Sequence, residues 1–186
     1  MLPPKVIASQ VLFDHPWARV VVDTLDCQGS QRPYFYLESP VNAVATVGLT
    51  EAGEILLTHQ YRHPIGRVIF DLPAGRLEPG EDPLEGARRE FEEETGYFPS
   101  HIEWLGCYNQ FPGSLRVRTD LFFARDLIST KQRLDEGEEL DMVCLPVAEV
   151  LEMILRGEVI DGSLQLGVLL AEKKGLLPPG SSHGIS

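Results

Sequence analysis

The 186-residue chain contains 43% hydrophobic and 24% charged residues, the proportions of a folded globular protein long enough for one well-buried domain and short for two. Its formal net charge of -12 repels nucleic-acid backbones and anionic membrane surfaces, so neither is an expected partner, and an anionic ligand would need a cation to mediate its binding. Three widely spaced cysteines, Cys27, Cys107 and Cys144, fit neither a disulfide framework nor a thiolate zinc site and favour a reducing, cytoplasmic location; the start MLPPKVIASQ lacks the apolar core of a signal peptide, and no apolar run nears the roughly 18 residues of a membrane span.

In chain order, KVIASQVLF, ARVVVDTL and RPYFYLES read as strands separated by HPW and DCQGSQ turns. VNAVATVGLT and EILLTHQYR follow as a hairpin around Glu51-Ala52-Gly53, and VIFDL is a short strand running into PAG. The hydrophobic period then changes. Asp82 can cap a helix with Pro83 at its first position and Glu85 closing a capping box; the helix should end at Thr95, with Gly96 as the stop. HIEWLGCYN and LRVRTDLFFA read as strands around the loop NQFPGS, and DMVCLP as a further short strand. VAEVLEMILRGE and SLQLGVLLAEKKG read as amphipathic helices, and the tail LLPPGSSHGIS as loose. Strands, one helix, strands and two helices predict a mixed sheet covered by helices, in the α+β or α/β-sandwich range.

The stretch REFEEETG, residues 89–96, places four glutamates within five positions. On a helix, Glu90 and Glu94 project together with Glu93 beside them. Leu84, Ala87 and Phe91 form the adjacent buried stripe, while Glu92 points to solvent. Arg89 has Glu85 four residues before it and Glu93 four after it, and can hold both. Carboxylates crowded at the margin of a core are unfavourable unless protonated or neutralised. A hard divalent cation, Mg²⁺ with Mn²⁺ as a substitute, would neutralise them; a solvated acidic face is the other reading of the run taken alone.

The longer stretch GRLEPGEDPLEGARREFEEETGY, residues 75–97, fits G-x5-E-x7-R-E-U-x-E-E-x-G-U, with U a bulky apolar or aromatic residue. The matched positions are Gly75, Glu81, Arg89, Glu90, Phe91, Glu93, Glu94, Gly96 and Tyr97. This pattern resembles the signature of the Nudix hydrolase family. The resemblance implies an α/β/α sandwich whose box forms a loop–helix–loop, and hydrolysis of a diphosphate bond in a nucleoside diphosphate linked to another moiety. It implies that Glu90 and Glu94 are the main metal ligands, that Glu93 assists, and that the carbonyl of Ala74 completes the site. Glu81 and Arg89 would be a structural ion pair, and Gly75 would allow a close backbone approach or a positive φ. A glutamate on a late loop serves as base or metal ligand in many members that cleave ADP-ribose. In LDEGEELDM, residues 134–142, Glu139 is the first candidate, ahead of Glu138 and Glu136.

Three features outside the box resemble the ADP-ribose pyrophosphatase branch. Gln60-Tyr61-Arg62 matches its Q-Y-R, with Arg62 gripping a diphosphate or the terminal ribose. Asp71-Leu72-Pro73-Ala74-Gly75 is similar to its E-L-P-A-G, and Pro112 and Gly113 in FPGS to its S-P-G. The acidic residue common after S-P-G is replaced by LRVR, which leaves other nucleotide sugars open. Relatives carry an N-terminal β arm that packs onto a second subunit and helps line its base pocket. By that likeness, 1–40 is a dimerising arm, 41–176 the Nudix domain and 177–186 the tail; Tyr34 and Tyr36 could stack on a base or pack at an interface. The implied protein is a homodimer acting on ADP-ribose or a similar nucleotide sugar. GDP-mannose, NADH and diadenosine polyphosphates are the enzyme alternatives, and a non-catalytic nucleotide-sensing module is the alternative from another class.

Overall fold

The structure is a computed structural model that describes residues 3–135, 137 and 139–178. Among the described residues, eleven strands and three α-helices follow the order β1 (Lys5–His15), β2 (Ala18–Cys27), β3 (Ser30–Glu38), β4 (Ala43–Leu49), β5 (Glu54–Arg62), β6 (Arg67–Asp71), β7 (Ala74–Arg76), α1 (Pro83–Thr95), β8 (Tyr97–Tyr108), β9 (Leu115–Arg116), β10 (Thr119–Ser129), β11 (Leu140–Pro146), α2 (Val147–Leu155) and α3 (Gly162–Lys173). Contacts divide the chain into two units, Met1–Asn42 with Tyr108–Thr119, and Ala43–Cys107 with Asp120–Ser186.

The first unit is built on a four-stranded sheet in the order β1-β2-β3-β9. β1 and β2 pair antiparallel from Lys5↔Asp26 to His15↔Ala18, and β2 and β3 from Arg19↔Glu38 to Cys27↔Ser30. The β2–β3 turn needs two left-handed residues, Gln28 (φ 59°) and Gly29 (φ 89°), and the Asp26 carboxylate accepts the Gly29 N–H at 2.7 Å. β9 adds in parallel, Leu37↔Leu115. The stretch LRVRTDLFFA is therefore not one strand. Its first two residues join β3 and the chain resumes as β10 at Thr119, a break that its unbroken alternation does not signal.

The second unit carries a seven-stranded sheet with the path β11-β5-β4-β10-β8, on which β6 pairs with β5 and β7 with β4. Strand parity places a helix on each face. Val44 of β4 packs with Leu77, Ala87 and Phe122, and a Cβ on Gly48 would fall 2.5 Å from Phe91, so this parity faces α1. Val47 has the other parity and lies against Gly167 of α3. Ala87 and Phe91 are fully buried. Removing the Phe91 ring from water contributes about 2–3 kcal/mol, which anchors the acidic helix to the sheet.

Candidate active site

The chain enters α1 through a capped turn. One oxygen of Asp82 accepts the N–H groups of Leu84 at 2.9 Å and Glu85 at 3.4 Å, and Pro83 fills the first helical position. Gly96 ends the helix in the left-handed region at φ 70°. The capping box does not form as expected. Glu85 turns to Arg88 at 3.1 Å, an i,i+3 neighbour on the same face.

Arg89 organises the acidic ridge. Its Nε and one terminal nitrogen each meet a carboxylate oxygen of Glu81 at 2.8 Å, and the second of these also reaches the Arg76 carbonyl at 3.2 Å. The other terminal nitrogen meets Glu90 at 2.9 Å and Glu93 at 3.2 Å. Arg89 thus holds Glu81, which lies eight residues back in the loop before the helix, and not Glu85. The guanidinium hydrogen bond holds Glu81 below the usual carboxylate range, and Glu81 and Glu90 raise Arg89 in return.

Glu94 is only 3% exposed, and its carboxylate accepts the Ala74 N–H at 2.8 Å. The Glu90 carboxylate rests on the backbone of Gly75, where a Cβ would lie 2.0–2.3 Å from its carboxyl atoms. Gly75 is not among the described glycines with a positive φ, so close approach is its reason for being glycine. Glu92 is half-buried rather than fully solvated, 3.8 Å from the Arg133 guanidinium.

The Arg89 guanidinium therefore faces the carboxylates of Glu81, Glu90 and Glu93, while that of Glu94 lies against the Ala74 N–H. The donor set is hard oxygen with an excess of negative charge, which fits a hard divalent cation. Among the described residues no three His, Cys, Asp or Glu side chains converge on one point. Glu90 and Glu93 turn to Arg89 and Glu94 to Ala74, so a cation competes with Arg89 for the first two.

A second polar cluster joins the end of β5 to the start of α3. Arg62 donates to Asp71 Oδ2 through Nε at 2.6 Å and also through a terminal nitrogen. Asp71 is 3% exposed, and its Oδ1 has no hydrogen-bond partner. Burial, then the nearby Asp161, pushes the Asp71 carboxyl above its usual range, and Arg62 opposes both. Asp161 caps α3 by accepting the Leu164 N–H at 2.7 Å, and burial raises it as well. Gln60 is 9% exposed and donates to Thr58 at 3.3 Å. Asp161 lies ninety residues from Asp71, and no local pattern in the sequence pairs the two.

Glu139 is exposed and directly precedes β11, whose first residue, Leu140, pairs with Gln60. That register places Glu139 at the sheet end where Tyr61 and Arg62 finish β5. Glu136 and Glu138 lie outside the described residues.

Tyr34, Pro112 and Gly113 belong to the first unit and line one cavity of about 370 Å³, together with Asp23, Tyr36 and Arg116. The Tyr34 hydroxyl donates to the Gly113 carbonyl at 2.5 Å. The Arg116 guanidinium sits 4.4 Å from the Tyr36 ring centre and pairs with Glu38 at 2.9 Å. Arg116, from the LRVR stretch, thus brings a cation to this cavity.

The NUDIX domain family matches residues 39–163. A methanol dehydrogenase activator of Bacillus methanolicus is 32% identical over 166 residues, covering 88% of this chain and 90% of that protein. An ADP-ribose pyrophosphatase of Bacillus subtilis (strain 168) is 28% identical over 175 residues, covering 93% and 95%. An ADP-ribose pyrophosphatase of Mycobacterium tuberculosis is 35% identical over 130 residues, covering 68% and 63%. The crystal structure of an ADP compounds hydrolase has the same fold, with a TM-score of 0.85 over 95% of this chain and 97% of that one at 20% identity. The chain is a Nudix hydrolase, a member of the family whose signature runs from Gly75 to Tyr97.

Proposed function

We propose that this Nudix hydrolase cleaves the diphosphate bond of ADP-ribose, or of a closely related nucleoside diphosphate sugar, to a nucleoside monophosphate and a sugar phosphate, with Mg²⁺ as cofactor and Mn²⁺ as a substitute. The observation that carries this reading is the excess of carboxylate over guanidinium on one ridge of α1. Glu90 and Glu94 would hold the cation, assisted by Glu93 and the carbonyl of Ala74. When bound, the cation supplies a Lewis acid for the phosphoryl oxygens and lowers the pKa of a coordinated water. Glu81 keeps the Arg89 fork in place, and Gly75 lets the Glu90 carboxylate lie flat on the loop. Glu139 is the candidate base.

Arg62 is held by Asp71 yet 43% exposed, which leaves its outer edge for an anionic group. Gln60 joins Arg62 at that strand end as a candidate substrate contact, its side chain buried and bonded to Thr58. The rings of Tyr34 and Tyr36 offer faces for a base, with Pro112 and Gly113 shaping the wall.

Two of the relatives are ADP-ribose pyrophosphatases, which supports the substrate. All the glutamates of the box are present, which weighs against a purely sensing module. Val6, Ile7, Val11, Leu12, Phe13 and Phe35 are about half exposed on β1 and β3. That surface supports a homodimer formed through the arm at 1–40. Among the described residues no helix is long and apolar enough to cross a membrane; the cytoplasm is the proposed compartment.

The test is a panel of ADP-ribose, GDP-mannose, NADH and diadenosine polyphosphates, assayed side by side with Mg²⁺. ADP-ribose should show the highest kcat/KM, and equal or greater turnover of the guanine sugar would remove the assignment. Glu94→Gln should lower turnover at least about a hundredfold with the fold intact.

A further inference from the structure

Four contacts tie one short segment, residues 130–133, to the C-terminal turn of α1. The Gln132 side-chain amide donates to the Glu94 carbonyl at 2.7 Å. The Arg133 N–H donates to the Glu93 carbonyl at 2.8 Å, and the Thr130 N–H to the Gly96 carbonyl at 2.7 Å. The Arg133 guanidinium lies 3.8 Å from Glu92. The last carbonyls of any α-helix have no partner inside the helix and fray unless something outside caps them. Here Gly96 N–H returns to the Glu92 carbonyl, and the segment takes the carbonyls of Glu93 and Glu94.

Gly96 makes the approach possible. A Cβ there would fall 2.9 Å from the Gln132 backbone nitrogen, and φ 70° already disfavours other residues. The contact is unusual in its source. Gln132 is exposed and lies 38 positions from Glu94, yet its amide reaches back to the backbone of a buried acid.

We infer that Gln132 is a positioning residue for the hydrolysis: it fixes the last turn of α1, and so the direction in which Glu93 and Glu94 present their carboxylates. This rests on the reading of those glutamates as cation ligands. The segment locks the helix end from outside, while Arg89 and Ala74 hold the carboxylates themselves.

The experiment compares the full chain with Gln132→Met, which keeps length and removes the donor. Three quantities are measured: Mn²⁺ affinity by electron paramagnetic resonance, kcat and KM for ADP-ribose with Mg²⁺, and backbone hydrogen exchange in α1. Mn²⁺ affinity and kcat should each fall on the order of tenfold with KM unchanged, as when a partner that orients a metal ligand is lost. Exchange should accelerate in the last turn of α1 alone. Mn²⁺ affinity and kcat within about twofold of the parent would overturn the proposal, because a packing role alone leaves both in place. A parent chain that binds no Mn²⁺ would overturn the metal reading, and this proposal with it. Binding that is equal in parent and variant overturns the positioning role only.

Discussion

Gly75 and Glu90 are in contact so close that any side chain on residue 75 would occupy the space of the Glu90 carboxylate, 2.0 Å from its carboxyl carbon. Gly75→Ala should therefore displace Glu90 rather than strain the backbone. Turnover should fall by about a hundredfold, while the unfolding midpoint shifts little, since the displaced carboxylate can move toward solvent. Steady-state kinetics and thermal unfolding on the same sample check this. Turnover near that of the parent would mean that the position of Glu90 is not needed.

Arg89 makes five hydrogen bonds in a geometry set by its planar fork. Lysine keeps the charge but cannot reach Glu81 with two parallel bonds. Arg89→Lys should cost about 1–3 kcal/mol of stability and also lower activity. Urea unfolding measures the first and kcat/KM the second. An unchanged midpoint would show that charge alone suffices.

The Asp71 carboxyl is pushed above its usual value of 3.8, first by burial and then by Asp161. A raised acid holds its proton more tightly in the folded state than in the unfolded one. Its stabilising contribution is complete below 3.8 and is lost as the pH rises through the folded value. Asn has no such loss. The stability of Asp71→Asn relative to the parent should therefore improve as the pH rises from 3.8 through the folded value. A relative stability that stays flat or declines over that range, measured by urea unfolding, would contradict it.

Gly48 lies beneath Phe91, with an added Cβ only 2.5 Å from the ring. Gly48→Ala should cost about 1–3 kcal/mol by overpacking, and Phe91→Ala about 3–5 kcal/mol by opening a cavity. In the double variant the methyl group occupies space that the ring vacated, so the Gly48→Ala cost should nearly vanish. A double-mutant cycle in urea measures the coupling, and strict additivity would contradict the packing described here.

The acidic helix was legible because its signals are local. Asp82, Pro83 and Gly96 mark its ends, and the spacing of Gly75, Glu81, Arg89 and the glutamates is fixed along the chain. Strand positions were legible from alternation for the same reason. What could not be read depends on contacts between distant residues. The split between β9 and β10 arises because Leu115 pairs with Leu37, and nothing at 117–118 marks a break. Glu85 has Arg88 and Arg89 within reach, and only the position of Glu81 decides that Arg89 is taken. The Asp71–Asp161 proximity and the Gln132–Glu94 bond each join residues from separate strands or loops, with no spacing to announce them.

The most direct test of the central claim is to incubate the purified chain with ADP-ribose, with Mg²⁺ in one sample and excess chelator in another, and to quantify AMP and ribose 5-phosphate. The account predicts both products in equal amounts with Mg²⁺ and neither with the chelator. Equal product formation in the two samples, or none with either Mg²⁺ or Mn²⁺, would contradict it.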